Sequence, residues 1–255
     1  RCNVSASNDL SATTSPEMII NNTNAVEDIA YDWVHDVLYW TGAGRGTIEL
    51  LTMKGRHHLT LVDDNLHAPR GIAVDPRKDQ RWVYWTDWYR KPRIERAGLD
   101  GSHRTLMVAT DLGWPNYLTI DYADNRLYWT DGMLDSISSC DLNGQNVREV
   151  FSDRRFTRHP FTIDIFGDMM YWLDWRNNEI YEANKNNGSL HVRTIPHAGR
   201  RPFGLQMYHP SRQPKVPGLD PCGVNNGGCS HICLEAPAIG SSTKKFSCFC
   251  PDAGC

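Results

Sequence analysis

No run of apolar residues in this 255-residue chain approaches the roughly 18 needed for a helix to cross a bilayer, so membrane insertion by this segment is not expected. The opening stretch RCNVSASNDLSATTSPE lacks the apolar core of a signal peptide, and an exported protein beginning this way is expected to be a piece of something longer. Charge of one sign is also missing: 27 basic residues face 30 acidic ones, for a net charge of -3, and no strong partner class follows. No segment carries a helical period of apolar residues, which argues against α-helical and α/β classes. Cysteine is nearly absent from the first 221 residues, where only Cys2 and Cys140 occur.

Six cysteines crowd into the last 34 residues, at 222, 229, 233, 248, 250 and 255. A dense even set in a short Gly-rich segment reads as a disulfide framework, which needs an oxidising compartment. Paired CxxC knuckles are missing, which weighs against a zinc module and leaves no metal site expected. Six cysteines can pair in 15 ways, and spacing alone does not choose among them. Sequons at Asn3, Asn21 and Asn187 agree with secretion. Nucleic acid is not an expected partner in that setting.

The chain repeats itself. YWTG begins at 39, YWTD at 84 and 128, and YWLD at 171, giving spacings of 45, 44 and 43. An Asp precedes each motif (Asp32, Asp75, Asp121, Asp164) and an Ile follows it (Ile48, Ile94, Ile137, Ile180). A Gly comes after each Ile (Gly55, Gly101, Gly144, Gly188), and Pro69, Pro115, Pro160 and Pro202 mark the intervals. Within one unit, residues 70–75, 81–87, 92–99 and 103–109 are strand-sized and rich in β-branched or aromatic residues. Asp100-Gly101 and Asn143-Gly144 suit tight hairpins. Four antiparallel strands recurring at this period predict an all-β chain of propeller blades. The boundaries expected are an irregular lead-in over 1–24, blades over 25–216 and a disulfide-rich module over 217–255.

A Tyr-Trp-Thr-Asp row present in every copy is a structural unit rather than an active site. Its aromatics are expected to wedge between sheets, with Asp87, Asp131 and Asp174 in a polar ring. The two departures, Gly42 and Leu173, offer no chemistry, and no convergent nucleophile, base or acid pair stands out. An enzyme is therefore not expected.

These residues resemble the YWTD propeller and following EGF-like module of the low-density lipoprotein receptor family. The resemblance rests on the four motifs and on WPN (114–116), HPF (159–161), YHPSRQP (208–214) and DPCGVNNGGCSHICL (220–234). It implies a propeller six-bladed in the parent, of which the last four blades are visible here, and an extracellular ectodomain of a cell-surface and endosomal type I receptor. It also implies pairing of Cys222 with Cys233, Cys229 with Cys248, and Cys250 with Cys255. The VPGLD stretch lacks the acidic pair of calcium-binding EGF modules, so no cofactor is expected here, with calcium reserved for neighbouring ligand-binding modules of the parent. Cys2 reads as the stray end of a preceding module, and Cys140 as a small buried hydrophobe.

Alternation of strand direction places the loops after each motif and those around each Pro on one face. That face would carry Arg45, Arg70, Trp88, Tyr89, Trp114, Asn116, Asp135, Arg158, His159, Trp175, Arg176, Arg201 and Phe203, with Glu27 and Asp28 on its rim. Aromatics and arginines suit a protein-binding surface. DRRFTRHP and PHAGRRP form an expected basic patch, and protonation of His159 and His197 in acid would strengthen its hold on acidic, cysteine-rich modules of the same receptor. The leading expectation is thus an endocytic module for protein ligands and pH-dependent cargo release. A Wnt co-receptor-like signalling propeller and a nidogen-like adhesion propeller are the alternatives.

Overall fold

The computed structural model describes residues 18–21, 23, 25–77, 80–187, 192–195, 202–215, 220–223, 225–239 and 245–255. The first sheet holds β1 (Val26–Asp32), β2 (Val37–Gly42), β3 (Thr47–Thr52) and β4 (His58–Val62). The second holds β5 (Pro69–Asp75), β6 (Trp82–Asp87), β7 (Arg93–Gly98) and β8 (Thr105–Val108). The third holds β9 (Pro115–Asp121), β10 (Arg126–Asp131), β11 (Ser136–Asp141) and β12 (Arg148–Phe151). The fourth holds β13 (Pro160–Phe166), β14 (Met169–Asp174), β15 (Glu179–Asn184) and β16 (Arg193–Ile195). Each is an antiparallel meander in chain order, the blade of a YWTD-type propeller. A two-stranded hairpin, β17 (Ile232–Glu235) with β18 (Phe246–Phe249), belongs to the C-terminal module.

Turn chemistry sets the ends of the strands. Gly101 and Gly144 adopt φ of +78° and +84° in the turns leading to β8 and β12, a conformation that glycine enters without a Cβ clash. The motif lies on the second strand of each blade, where successive side chains point to opposite sheet faces. Tyr therefore faces the following blade and Trp the preceding one. Three clusters of buried residues record this: Tyr39 shares one with Trp85, Tyr84 with Trp129, and Tyr128 with Trp172. Burial of rings of this size contributes on the order of 2–3 kcal/mol each. The tyrosine hydroxyls reach forward as well, Tyr39 donating to Leu99 O at 3.0 Å and Tyr84 to Leu142 O at 3.3 Å.

The motif threonine shares the forward face and ties adjacent inner strands. Thr41 Oγ1 donates to Arg70 O at 2.6 Å, Thr86 Oγ1 to Asn116 O at 2.7 Å, and Thr130 Oγ1 to Phe161 O at 2.8 Å. Leu173 takes this place in the fourth blade. At the outward flanks apolar side chains are exposed, with Ile29 60% and Val26 39% accessible on β1.

The motif carboxylates do not form a ring between blades. Each caps the upper loops of its own blade: Asp131 accepts from the N–H groups of Gly113, Trp114, Met133 and Leu134 at 2.7–3.0 Å. Asp87 does the same for His67 and Ala68, and Asp174 for His159, Arg176 and Asn177. In the first blade a Cβ on Gly42 would lie 2.4 Å from Thr47 Oγ1 and 2.9 Å from Glu49, whose mutual hydrogen bond fills the space.

At the lower end the Asp closing each inner strand meets a cation: Asp32 with His35, Asp75 with Arg77, Asp121 with Lys185, and Asp164 with Arg212. Arg212 belongs to the YHPSRQP stretch and also donates to Ile120 O and Thr119 Oγ1, so it pins the strap over 202–215 across the third and fourth blades. Trp33 Nε1 donates to Pro214 O, which carries the strap back to the first blade.

The C-terminal module docks beneath the first two blades. Ile232 and Leu234 join the cluster between those blades, and Asp252 accepts from Thr60 N and Oγ1. Pro237 abuts Gly98 so closely that a Cβ there would lie 2.5 Å from its Cδ. The disulfides are Cys222–Cys233, Cys229–Cys248 and Cys250–Cys255, the pairing implied by the family resemblance. Cys140 is free and buried, and burial pushes its thiol up to about 12. Cys2 lies outside the described residues.

The two polar motif residues are expected to differ in weight. Thr130→Val deletes one interblade hydrogen bond and is expected to cost about 1 kcal/mol, whereas Asp131→Ala strands several N–H groups and is expected to cost about 3 kcal/mol or more. Urea unfolding of both variants checks this; an Asp131→Ala loss no larger than that of Thr130→Val would contradict the capping role.

Candidate protein-binding face

Because Asp131 and Asp174 hold both upper loops of their blades and Asp87 holds the loop before β5, the residues just beyond those loops are presented at fixed positions. They form a ladder of rings across three blades. Trp88 lies 5.8 Å from Tyr89 and edge-on to Trp114 at 6.3 Å between centroids. Trp114 in turn lies 6.1 Å from His159, which stacks on Trp175 at 5.9 Å. Trp175 packs on Phe161 at 3.7 Å and meets Phe203 of the strap at 5.5 Å. Tyr89, Trp114 and Phe203 remain exposed, at 50%, 40% and 65%. A shallow pocket of 440 Å³ opens between Trp114, His159, Trp175 and Arg176.

Arg70 sits at the base of this ladder. Its guanidinium lies 4.5 Å from the Trp88 ring centroid, donates to Asn116 Oδ1 at 2.7 Å and approaches Glu27 at 3.6 Å. Burial lowers its pKa, which Glu27 partly offsets. Arg70 Nε and Trp175 Nε1 are buried without a hydrogen-bond partner.

Several expected surface residues do other work. Asn116 is fully buried and is not a ligand-binding side chain. It stands at the second position of β9, where its amide accepts from Arg70 and donates to Pro160 O at 2.9 Å, linking three blades. Asp28 is not a free rim acid: it accepts from Ile72 N at 2.9 Å in the next blade, and burial pushes its carboxyl up to about 7. Asp135 pairs with Arg154 at 2.9 Å, and Arg155 with Asp153 at 2.6 Å, so the basic loop is partly neutralised by its own neighbourhood. Arg45, Arg158 and Arg176 are exposed, although the ring contacts do not include Arg45 or Arg158. His197 and Arg201 lie outside the described residues, as does Asn3, while Asn21 and Asn187 are exposed.

His159 is half-buried between two indoles. Burial lowers its pKa from the ordinary 6.5, Asp174 opposes this, and Arg176 and Arg70 reinforce it. Sequence reasoning missed a second group altogether: His35, Arg81, Asp220 and Glu235 meet where the C-terminal module docks, with Arg81 Nε 2.5 Å from Glu235. Burial would lower the His35 pKa, but the Asp32 and Glu235 carboxylates outweigh it and hold it at about 10. No sequence signal brings these residues together, because the contact forms only when the strap returns the module to the first blade.

The model of the low-density lipoprotein receptor repeat class B family matches residues 36–76, 81–122 and 125–163. The chain is 34% identical over 92% of its length to the vitellogenin receptor Yl of Drosophila melanogaster, of which it spans 11%. It is 38% identical over 96% of its length to low-density lipoprotein receptor-related protein 8 of Gallus gallus, of which it spans 27%. A low-density lipoprotein receptor-related protein 5-like protein of Homo sapiens is 29% identical, with 94% of this chain and 92% of that protein covered. Among solved structures, a chain of a nidogen/laminin complex matches with a TM-score of 0.65 and 28% identity, covering 71% of this chain and 68% of its own.

The electrostatics of the pocket can be read directly. His159 is expected to titrate below 6.5, and Arg176→Gln, by removing a neighbouring cation, is expected to raise its midpoint. Imidazole chemical shifts followed against pH provide the measurement. A midpoint at or above 6.5, or one unmoved in Arg176→Gln, would contradict this account.

Proposed function

Since the chain belongs to the low-density lipoprotein receptor family, we propose that it is a non-enzymatic ectodomain module of an endocytic receptor whose upper face docks protein ligands. The reading rests on the ladder of exposed and half-buried rings, Trp88 to Phe203, beside exposed Arg158 and Arg176. Interface hot spots are rich in such types. The repeated carboxylates are engaged by backbone N–H groups, which leaves them unsuited to acid or base work. Among the described residues no helix is long and apolar enough to cross a membrane.

The partner we favour is an acidic, calcium-holding, cysteine-rich module of the same receptor, taken up as cargo is released in endosomes. Burial lowers the His159 pKa from the ordinary 6.5, so the ring is mainly neutral at pH 7.4 and its added attraction develops on acidification. His197 is proposed as its companion. A constitutive adhesion surface is the second reading, favoured by the likeness to a chain solved in a nidogen/laminin complex.

Binding of an acidic cysteine-rich module at pH 7.4 and 5.5 tests the proposal. Tighter binding at pH 5.5, weakened by salt, is expected. Trp114→Ala is expected to reduce it roughly 30-fold or more, as for an interface hot spot. Equal binding at both pH values would remove the release switch in favour of adhesion, and undiminished binding by Trp114→Ala would remove this face as the docking surface.

A further inference from the structure

We propose that the junction between the C-terminal module and the first blade is a binding site for a zinc-class divalent metal ion, with His35, Asp220 and Glu235 as its protein ligands. No metal site was expected here from the sequence. Its residues come from three distant parts of the chain: the β1–β2 turn, the residue two before Cys222, and the end of β17.

The geometry is that of a site awaiting a fourth member. His35 Nε2 lies 3.4 Å from Glu235 Oε2 and 3.8 Å from Asp220 Oδ1, and the three donor atoms all lie within 4.8 Å of one another. Zinc bonds of about 2.0–2.1 Å in a tetrahedron place neighbouring ligand atoms about 3.4 Å apart. The two spacings from His35 Nε2 are thus long for hydrogen bonds and close to the edges of a metal tetrahedron.

One buried atom points to a missing partner: His35 Nε2 has no hydrogen-bond partner on a side chain only 7% exposed, and it faces Glu235 Oε2 and Asp220 Oδ1. The other imidazole nitrogen is already engaged, with Nδ1 2.6 Å from Asp32 Oδ2. A carboxylate at Nδ1 fixes the tautomer that leaves the Nε2 lone pair free, the usual arrangement behind a metal-ligating histidine. Asp220, 31% exposed, gives solvent access and room for a water as the fourth ligand.

Charge balance agrees. Asp32, Asp220 and Glu235 contribute three negative charges against one positive charge from Arg81, which ion-pairs with Glu235. With a neutral imidazole the group carries two excess negative charges, matched by one divalent ion. A nitrogen donor beside two carboxylates suits zinc and its neighbours in the first transition row; calcium prefers an all-oxygen shell. The ion competes with a proton for Nε2, and a protonated His35 bridging Asp32 and Glu235 is the rival occupant. Bound metal would staple module to blade, adding to the apolar contacts of Ile232 and Leu234.

The test uses the whole chain, stripped of metal and kept at pH 7.4, with zinc sulfate as the probe. One zinc per chain should survive dialysis, the thermal midpoint should rise with zinc, and cobalt in its place should give the intense visible absorption of a tetrahedral ion. Asp220→Asn, at a partly exposed position that should leave the fold intact, is expected to weaken zinc affinity about tenfold or more, and Glu235→Gln likewise. The His57 and His231 rings, 5.4 Å apart on the same side of the molecule, could take zinc adventitiously, so His231→Ala is the control and should change nothing. Absence of stoichiometric uptake would overturn the proposal and leave the protonated ion-pair cluster. Uptake that persists in Asp220→Asn and Glu235→Gln, or that disappears in His231→Ala, would overturn it by placing the ion elsewhere.

Discussion

A single threonine hydroxyl joins the inner strand of each blade to the next, and the rest of the arc is built around that contact. Strand alternation puts Tyr39 and Thr41 on one face of β2 and Trp40 on the other. The first pair therefore reaches forward, to Leu99 O and Arg70 O, while the tryptophan packs backward. In the second blade, where the row is complete, four consecutive residues serve two forward polar bonds, one backward apolar wedge and one cap of the blade's own loop. A one-residue slip of register would exchange forward and backward faces and lose both hydrogen bonds and the wedge together. That coupling accounts for the repetition of the whole row rather than of its aromatic members alone.

The same row decides where variable chemistry can be placed. The carboxylate of Asp131 gathers N–H groups from the loop before β9 and the turn after β10. Trp114 and Met133, which supply two of those N–H groups, are then free to point their side chains at solvent. The upper rim is thus written in residues adjoining the repeat, on backbone fixed by it. Rigid presentation matters for a docking face, because an aromatic already held in place loses little entropy when a partner covers it.

Much of this was legible in the sequence. Fixed spacing gave the blades, and alternating β-branched and aromatic runs gave strands that the structure places within a residue or two, as with 69–75 against an expected 70–75. The face carrying Trp88, Trp114 and Trp175 followed from strand direction alone. Asn116 was misread because loop proximity says nothing about which side of the first strand position faces water, and its neighbours Arg70 and Pro160 draw the amide inward. The Arg154–Asp135 pair spans two loops of one blade whose closeness depends on side-chain reach. The module junction was beyond sequence reading, since it depends on the path of the strap past Arg212 and Trp33.

The two ends of the arc differ in how their charge is used. At the lower end, carboxylates at the ends of the inner strands are matched by Arg77, Lys185 and Arg212, and opposite charges held this close cancel beyond a few ångströms. At the upper end, Arg45, Arg158 and Arg176 are exposed, and the nearest motif carboxylates are buried under N–H groups. A protein of net charge -3 can therefore present a locally positive rim, because the field a partner meets is set by the charges left unpaired on the side it approaches. The acidic partner proposed for this face would meet that rim beside the aromatic ladder, whereas the lower end is occupied by strap and module.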